Sequence, residues 1–210
     1  MAVEMEEVRM EEQKKLSEKK EQTKKEKIWS IVKELCLYAI IVVVCVGFIP
    51  NYVLAKNLVS GESMENTLQN KDQILTEMVS YRFGEPKRFD VIVFYHFFDF
   101  ENTDKSDKEA YEFYVKRIIG MPGERVRIEG ETIYINGEPL EEHYGKDPIS
   151  DAGRAEEEIV LGEDEYFVMG DNREVSIDSR SSDVGNIKKD WILGKVCARV
   201  YPFDKIGCVE

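Results

Sequence analysis

Histidine is nearly absent from this chain, with only His96 and His143 in 210 residues. A serine or cysteine nucleophile is usually activated by a histidine that a carboxylate holds in place. Neither His96 nor His143 stands in a recognisable triad setting, so hydrolysis by a histidine relay is not what this sequence offers. Cysteine is also sparse: Cys36, Cys45, Cys197 and Cys208 show neither CxxC spacing nor the density of a disulfide scaffold. Basic residues are outnumbered, 29 Lys and Arg against 42 Asp and Glu for a net charge of -13, which argues against a nucleic-acid partner, whose phosphates call for basic patches. No metal-ligand cluster, EF-hand loop or matched carboxylate pair is visible, which sets aside a calcium site and glycoside hydrolysis. No metal and no cofactor are expected.

What the chain does have is one long uncharged run. From Leu35 to Ala55 no charged residue occurs over about 21 positions, roughly 31 Å as a helix and enough to cross a bilayer core. Lysines crowd the preceding stretch from Lys14 to Lys33, and Lys56 is the nearest basic residue after it, so the positive-inside rule places the amino end in the cytoplasm. The expected layout is a charged cytoplasmic tail over 1–33, a transmembrane anchor helix over 34–55 and an extracytoplasmic domain over 56–210. Residues 1–27 mix Glu and Lys with little apolar content and read as a solvated helix or a disordered tail. The apolar run admits two other readings. A cleavable signal peptide has small residues at Val53 and Ala55, with Pro50 ahead of them, but the long charged stretch before the run is atypical. A buried core helix is disfavoured by the absence of any polar face. Within the run Cys36 and Cys45 act as small hydrophobes, while pairing of Cys197 with Cys208 is left open.

Beyond the run the apolar period falls to two. Residues 73–78, 91–97, 111–119, 124–128, 132–135, 165–169 and 195–201 read as strands, with hairpin signals at Glu129-Gly130 and Asn136-Gly137. A mainly β domain of partly closed antiparallel sheets follows. The acidic stretches 99–109 and 141–158 read as surface loops, the second as a small insertion over about 141–160.

Two stretches carry chemistry. Val59-Ser60-Gly61-Glu62-Ser63-Met64-Glu65-Asn66-Thr67-Leu68 offers Ser63 just past the apolar run, and alone it is an ordinary loop serine. Tyr114-Val115-Lys116-Arg117-Ile118-Ile119-Gly120-Met121-Pro122-Gly123 sets a lysine among strand-forming apolar residues. An ordinary lysine is only about 0.04% neutral at pH 7, a handicap of roughly 4.6 kcal/mol for a base. Burial disfavours the charged form and can lower the pKa by about 3 to 5 units. A Ser-Lys dyad then needs no histidine.

Ser60-Gly61-Glu62-Ser63-Met64, the Lys116 to Gly123 stretch, Met169-Gly170-Asp171-Asn172-Arg173, Ser176 and Asp178-Ser179-Arg180 resemble, in order and spacing, the boxes of the bacterial type I signal peptidases. The resemblance runs from the membrane segment to about Gly207. It implies a signal-peptidase-like extracytoplasmic β-domain behind one N-terminal transmembrane helix. In that likeness Ser63 is the nucleophile and Lys116 the general base, Ser176 helps to position the lysine amine, and Asp178 and Arg180 brace the wall together with Arg117. Asp171 and Asn172 belong to the structural support of the site. The likeness also implies a single-pass enzyme of the bacterial cell membrane, monomeric, whose partners are the lipid bilayer and exported pre-proteins cut after small residues in an Ala-x-Ala-like pattern. Two departures stand out. Gly61 replaces a hydroxyl residue that helps to bind the oxyanion in many relatives, which leaves the backbone N–H of Ser63 as a donor, with a second one, another backbone group or a water, left open. Asn66 occupies a position where relatives commonly carry proline, so a less rigid turn is expected. Two further readings were an autoprotease of the SOS-repressor kind, which lacks its DNA-binding region here, and an inactive membrane-anchored scaffold, against which Ser63 and Lys116 argue.

Overall fold

The computed structural model describes residues 24, 25, 27, 29–100 and 103–209. Most of the charged tail expected over 1–33 therefore lies outside the described residues. The chain divides at Ile49/Pro50 into two units.

In the first unit, α1 spans Trp29–Phe48 and is long and apolar enough to cross a membrane, the one such helix among the described residues. Its last stretch, Val43–Phe48, widens to π geometry. Pro50 brings no N–H for the carbonyl of Val46, and a π turn is one way a helix accommodates that loss. The short α2, Ile49–Tyr52, follows in sequence. This corrects the anchor expected over 34–55: Leu54 and Ala55 already belong to β1, Leu54–Leu58, which pairs antiparallel with β2, Gln73–Glu77, from Leu54↔Glu77 to Leu58↔Gln73. Lack of charge carried the uncharged run past the end of the helix, because a strand's first residues can be just as apolar.

The remaining strands are β3 (Val91–Phe97), β4 (Tyr111–Gly120), β5 (Arg125–Glu129), β6 (Thr132–Ile135), β7 (Glu138–Pro139), β8 (Ile159–Val160), β9 (Glu165–Met169), β10 (Ile187–Lys188), β11 (Ile192–Tyr201) and β12 (Gly207–Cys208). A short helix α3, Ser80–Phe83, follows β2. One sheet has the order β1-β2-β11-β3-β4-β9-β10 with β12 on β11, and a smaller one runs β7-β6-β5-β8. The pairings between these strands are antiparallel.

Alternation decides which side chain goes where. In β3, Val91 and Val93 join a core with Met64, Leu68 and Val196, while Ile92 and Phe94 join another with Ile118, Tyr166 and Val168. The centre of the large sheet is thus covered on both faces, which is why β3 reads as a nearly continuous apolar run. A third core joins Ile119, Phe167 and Met169 to the small sheet through Val126, Ile128 and Ile133.

The segment over about 141–160 is more than a surface insertion. Ile149, Ala155 and Ile159 from it are buried in the third core, and it contributes strand β8. Its acidic composition hid the few apolar side chains that anchor it. Cys197 and Cys208 are free. Cys208 stands opposite Ala198, and the Cys197 carbonyl accepts from Val209 N–H, so neighbouring strands present the two cysteines at different ladder positions.

Candidate active site

Lys116 lies near the middle of β4, opposite Ile92 of β3. Its side chain shares a face with Tyr114, whose ring centroid lies 5.0 Å from Nζ. β3 pairs residues 111–117 of the strand and β9 pairs it from Arg117 to Gly120, so that among the described residues no strand pairs residues 111–116 on the β9 side. That free edge borders a groove of about 330 Å³ whose other wall is the stretch Leu58 to Met64.

Ser63 stands on that opposite wall. Its turn is built by Glu65 N–H to the Glu62 carbonyl and by Thr67 and Leu68 N–H to the Met64 carbonyl, with Met64 and Leu68 sunk into the core. Gly61 has φ +95°, a region that favours glycine, and its N–H is directed at Asn70 Oδ1 at 3.4 Å. Asn66 has φ +100° and its amide donates to the Tyr144 carbonyl at 3.3 Å. Proline is held near φ −65°, so this is not a looser form of a proline turn but a different backbone, held from outside.

Across the groove Lys116 Nζ donates to Ser63 Oγ at 2.7 Å. Lys116 is 4% exposed. Burial lowers its pKa from 10.5 to about 8, against the pull of Asp178 and Asp171, with Arg180 adding to the lowering. The two residues singled out for chemistry, 53 positions apart in the chain, thus meet at hydrogen-bond distance.

Behind them, the turn after β9 holds the backbone of Ser63. Asn172 N–H donates to the Ser63 carbonyl at 3.0 Å. Gly170 is required there because a Cβ would run into that same carbonyl and into Ser176 Oγ. Two buried ion pairs frame the turn. Arg117 pairs with Asp171 through Nε to Oδ1 at 2.9 Å and Nη2 to Oδ2 at 2.8 Å. It also donates to the Phe89 carbonyl and to Thr67 Oγ1, and Thr67 donates to Asp171. Arg180 pairs separately with Asp178, Nε to Oδ1 and Nη2 to Oδ2 both at 2.9 Å, and Asp178 accepts from Gly170 N–H. Arg180 also reaches the carbonyls of Asp151, Arg173 and Ser176. Ser176 Oγ is buried beside Gly170 and makes no hydrogen bond among the described residues, so it does not reach the Lys116 amine in this arrangement.

Residues 32–201 match the family described as signal peptidase, peptidase S26. The chain belongs to that family. A signal peptidase I of Leptolyngbya laminosa is 36% identical over 166 residues, covering 79% of this chain and 77% of the relative. A signal peptidase IB of Staphylococcus aureus strain COL is 32% identical over 185 residues, covering 79% and 90%. A solved signal peptidase I of Enterococcus faecalis V583 is 29% identical with a TM-score of 0.41, covering 53% of this chain and 97% of that one. Membership of the S26 signal peptidases makes this chain an enzyme of the serine peptidase class, in keeping with its mainly β fold and N-terminal apolar helix.

Sequence reasoning missed several residues of the S26 site. Thr67 lies inside the stretch quoted around Ser63, four residues on, where a hydroxyl on the following turn was the available signal. Tyr144 and Glu142 fall in the acidic stretch set aside as an insertion, and nothing in its composition pointed to the site. His96, the buried histidine, stacks on Tyr114 at 4.4 Å and faces Glu112 across the ladder; burial lowers its pKa.

Proposed function

We propose that this S26 peptidase removes N-terminal signal peptides from exported pre-proteins with a Ser63-Lys116 dyad, cutting after small residues in an Ala-x-Ala-like pattern. The observation that carries the reading is the 2.7 Å contact from Lys116 Nζ to Ser63 Oγ, made by a buried lysine. With a pKa of about 8, roughly a tenth of the Lys116 side chains are neutral at pH 7, some hundreds of times more than for an ordinary lysine.

The steps follow from the geometry. Neutral Lys116 takes the proton of Ser63 as Oγ attacks the scissile carbonyl. The negative charge that develops on the carbonyl oxygen falls to the Ser63 N–H, which has no protein acceptor among the described residues, at a turn where Gly61 leaves open space. Protonated Lys116 then gives its proton to the leaving amine, and the acyl-enzyme is released by a water that Lys116 deprotonates in turn. Arg117, Asp171, Asn172, Asp178 and Arg180 hold the two walls, and Ser176 packs beneath them.

The free edge of β4 supports the choice of an extended peptide. A substrate strand laid between residues 58–62 and 112–116 gains main-chain hydrogen bonds on that edge, and alternate side chains point into the groove. With α1 as a single-pass anchor, its amino end cytoplasmic, the second unit works as a monomer on the extracytoplasmic side of the bilayer.

The test is cleavage of a precursor carrying an Ala-x-Ala site by the detergent-solubilised full chain beside Ser63→Ala, with product masses read by mass spectrometry. One cut after the second alanine, absent in the variant, is expected. Cleavage retained by Ser63→Ala, or no cut by the folded wild type, overturns the reading. In the same assay kcat/KM is expected to climb with rising pH up to about 8 and then level off, because the base must be neutral in the free enzyme.

A further inference from the structure

The segment 142–147 touches several parts of the dyad's frame from outside. The ring of Tyr144 lies 3.6 Å from the Arg117 guanidinium carbon, covering one face of the cation that follows Lys116 in β4. The same ring packs on Phe89 at 5.1 Å, and the Phe89 carbonyl accepts from Arg117. The Tyr144 carbonyl takes the Asn66 amide at 3.3 Å, three residues after Ser63. Two residues further, Lys146 Nζ pairs with Glu65 at 2.8 Å, and its backbone N–H donates to the Asp171 carbonyl at 2.8 Å. On the other side Glu142 pairs with buried Arg173 at 2.7 Å, and Arg173 Nε donates to the Gly170 carbonyl at 3.0 Å.

The segment thus ties together the turn carrying Ser63, the strand carrying Lys116 and the turn that grips the Ser63 carbonyl. These three pieces are far apart in sequence, and the segment adds its ties to those that Arg117, Thr67, Asp171 and Asn172 make directly between them. We infer that residues 142–147 form a clasp that sets the reach between Lys116 Nζ and Ser63 Oγ, with Tyr144 as its positioning residue. The inference rests on the Ser-Lys reading of the site. Tyr144 touches neither reacting atom; it acts through Arg117 on one wall and through Asn66 on the other.

The physical basis is the steepness of proton transfer and attack with distance. A misplacement of about 1 Å by a change outside the chemistry can cost about 100-fold in rate. A planar cation stacked on a ring has one face fixed, and removing the ring opens a space beside Arg117 into which the guanidinium and the groups it holds can settle by a fraction of an ångström. The stack uses the ring face, so phenylalanine replaces tyrosine in it.

The experiment compares the full-length wild type, Tyr144→Ala and Tyr144→Phe in detergent, with kcat and KM on the Ala-x-Ala precursor. The fraction of competent sites is counted separately by stoichiometric titration with an acylating inhibitor. Tyr144→Ala is expected to titrate fully yet lose about 10- to 100-fold in kcat with KM within about threefold, while Tyr144→Phe stays within about threefold of wild type. A Tyr144→Ala enzyme with unchanged kcat overturns the clasp. So does one whose activity falls only as its titratable fraction falls, since that is loss of fold and not of reach. Loss of kcat in Tyr144→Phe equal to that in Tyr144→Ala also overturns it, because the hydroxyl and not the stack would then be at work. A wild type that neither cleaves nor titrates marks failure of the Ser-Lys reading itself, which is a separate result.

Discussion

Replacing Lys116 by methionine is expected to abolish turnover and at the same time to stabilise the fold at neutral pH. The methionine keeps the stem that fills the groove wall and removes a charge that burial disfavours. Lowering the pKa from 10.5 to about 8 corresponds to about 3 kcal/mol by which protonated Lys116 weakens the folded state, less the hydrogen bond to Ser63 that the variant also loses. The sign follows from proton counting. Between about pH 8 and 10.5 the folded chain binds fewer protons at this site than the unfolded chain, so wild-type stability from this group rises with pH across that window. Below about pH 8 the full cost is present. The advantage of Lys116→Met should therefore be greatest at pH 7 and shrink as pH climbs through that window. Denaturant midpoints of both proteins, compared at several pH values, measure the difference. A methionine variant that is less stable at pH 7, or an advantage that does not change with pH, would remove the buried, strained base from the account. The result also separates function from stability: the group proposed as the base is one that the fold would be better off without.

The opposite outcome is expected at Asp171. Its carboxylate and the Arg117 guanidinium are both fully buried, and the pair is bidentate. Truncation in Asp171→Ala leaves a cation in the interior without its carboxylate, beside neutral groups such as the Phe89 carbonyl and the Thr67 hydroxyl. Removing one member of such a pair typically costs about 3 to 5 kcal/mol, a large part of the stability of an ordinary domain. Activity should fall with it, since Asn172 next in line holds the Ser63 carbonyl. The double variant Arg117→Met, Asp171→Leu should lose much less stability than Asp171→Ala, because the cost lies in the stranded charge and not in the missing attraction. Urea unfolding of the two variants decides it. A single variant within about 1 kcal/mol of wild type would mean that the guanidinium finds water or another acceptor, and that the pair is not a keystone of the site.

These two positions show where local pattern stops being informative. The strands over 91–97, 132–135 and 165–169 coincide with those of the structure because alternation is a property of the strand itself. The two-residue strands β7, β8, β10 and β12 are too short to show a period, and β1 was hidden because its first residues continue an uncharged run. The stretch 141–160 was read by composition as a loop, yet a few apolar anchors and one tyrosine make it part of the core and of the site.

By itself the sequence determined the class of the fold, the family, the apolar helix and the two residues on which the chemistry was expected, because each of these is written in short-range order: period, charge-free length and motif spacing. The tertiary structure alone decided the rest. It brought Ser63 and Lys116 to 2.7 Å, paired Arg117 with Asp171, and set Tyr144 on the Arg117 guanidinium. Those contacts join residues 27 to 54 positions apart. They depend on how two sheets and a turn pack around shared cores, and no local pattern in the chain encodes a distance between strands that meet only after the whole domain has closed.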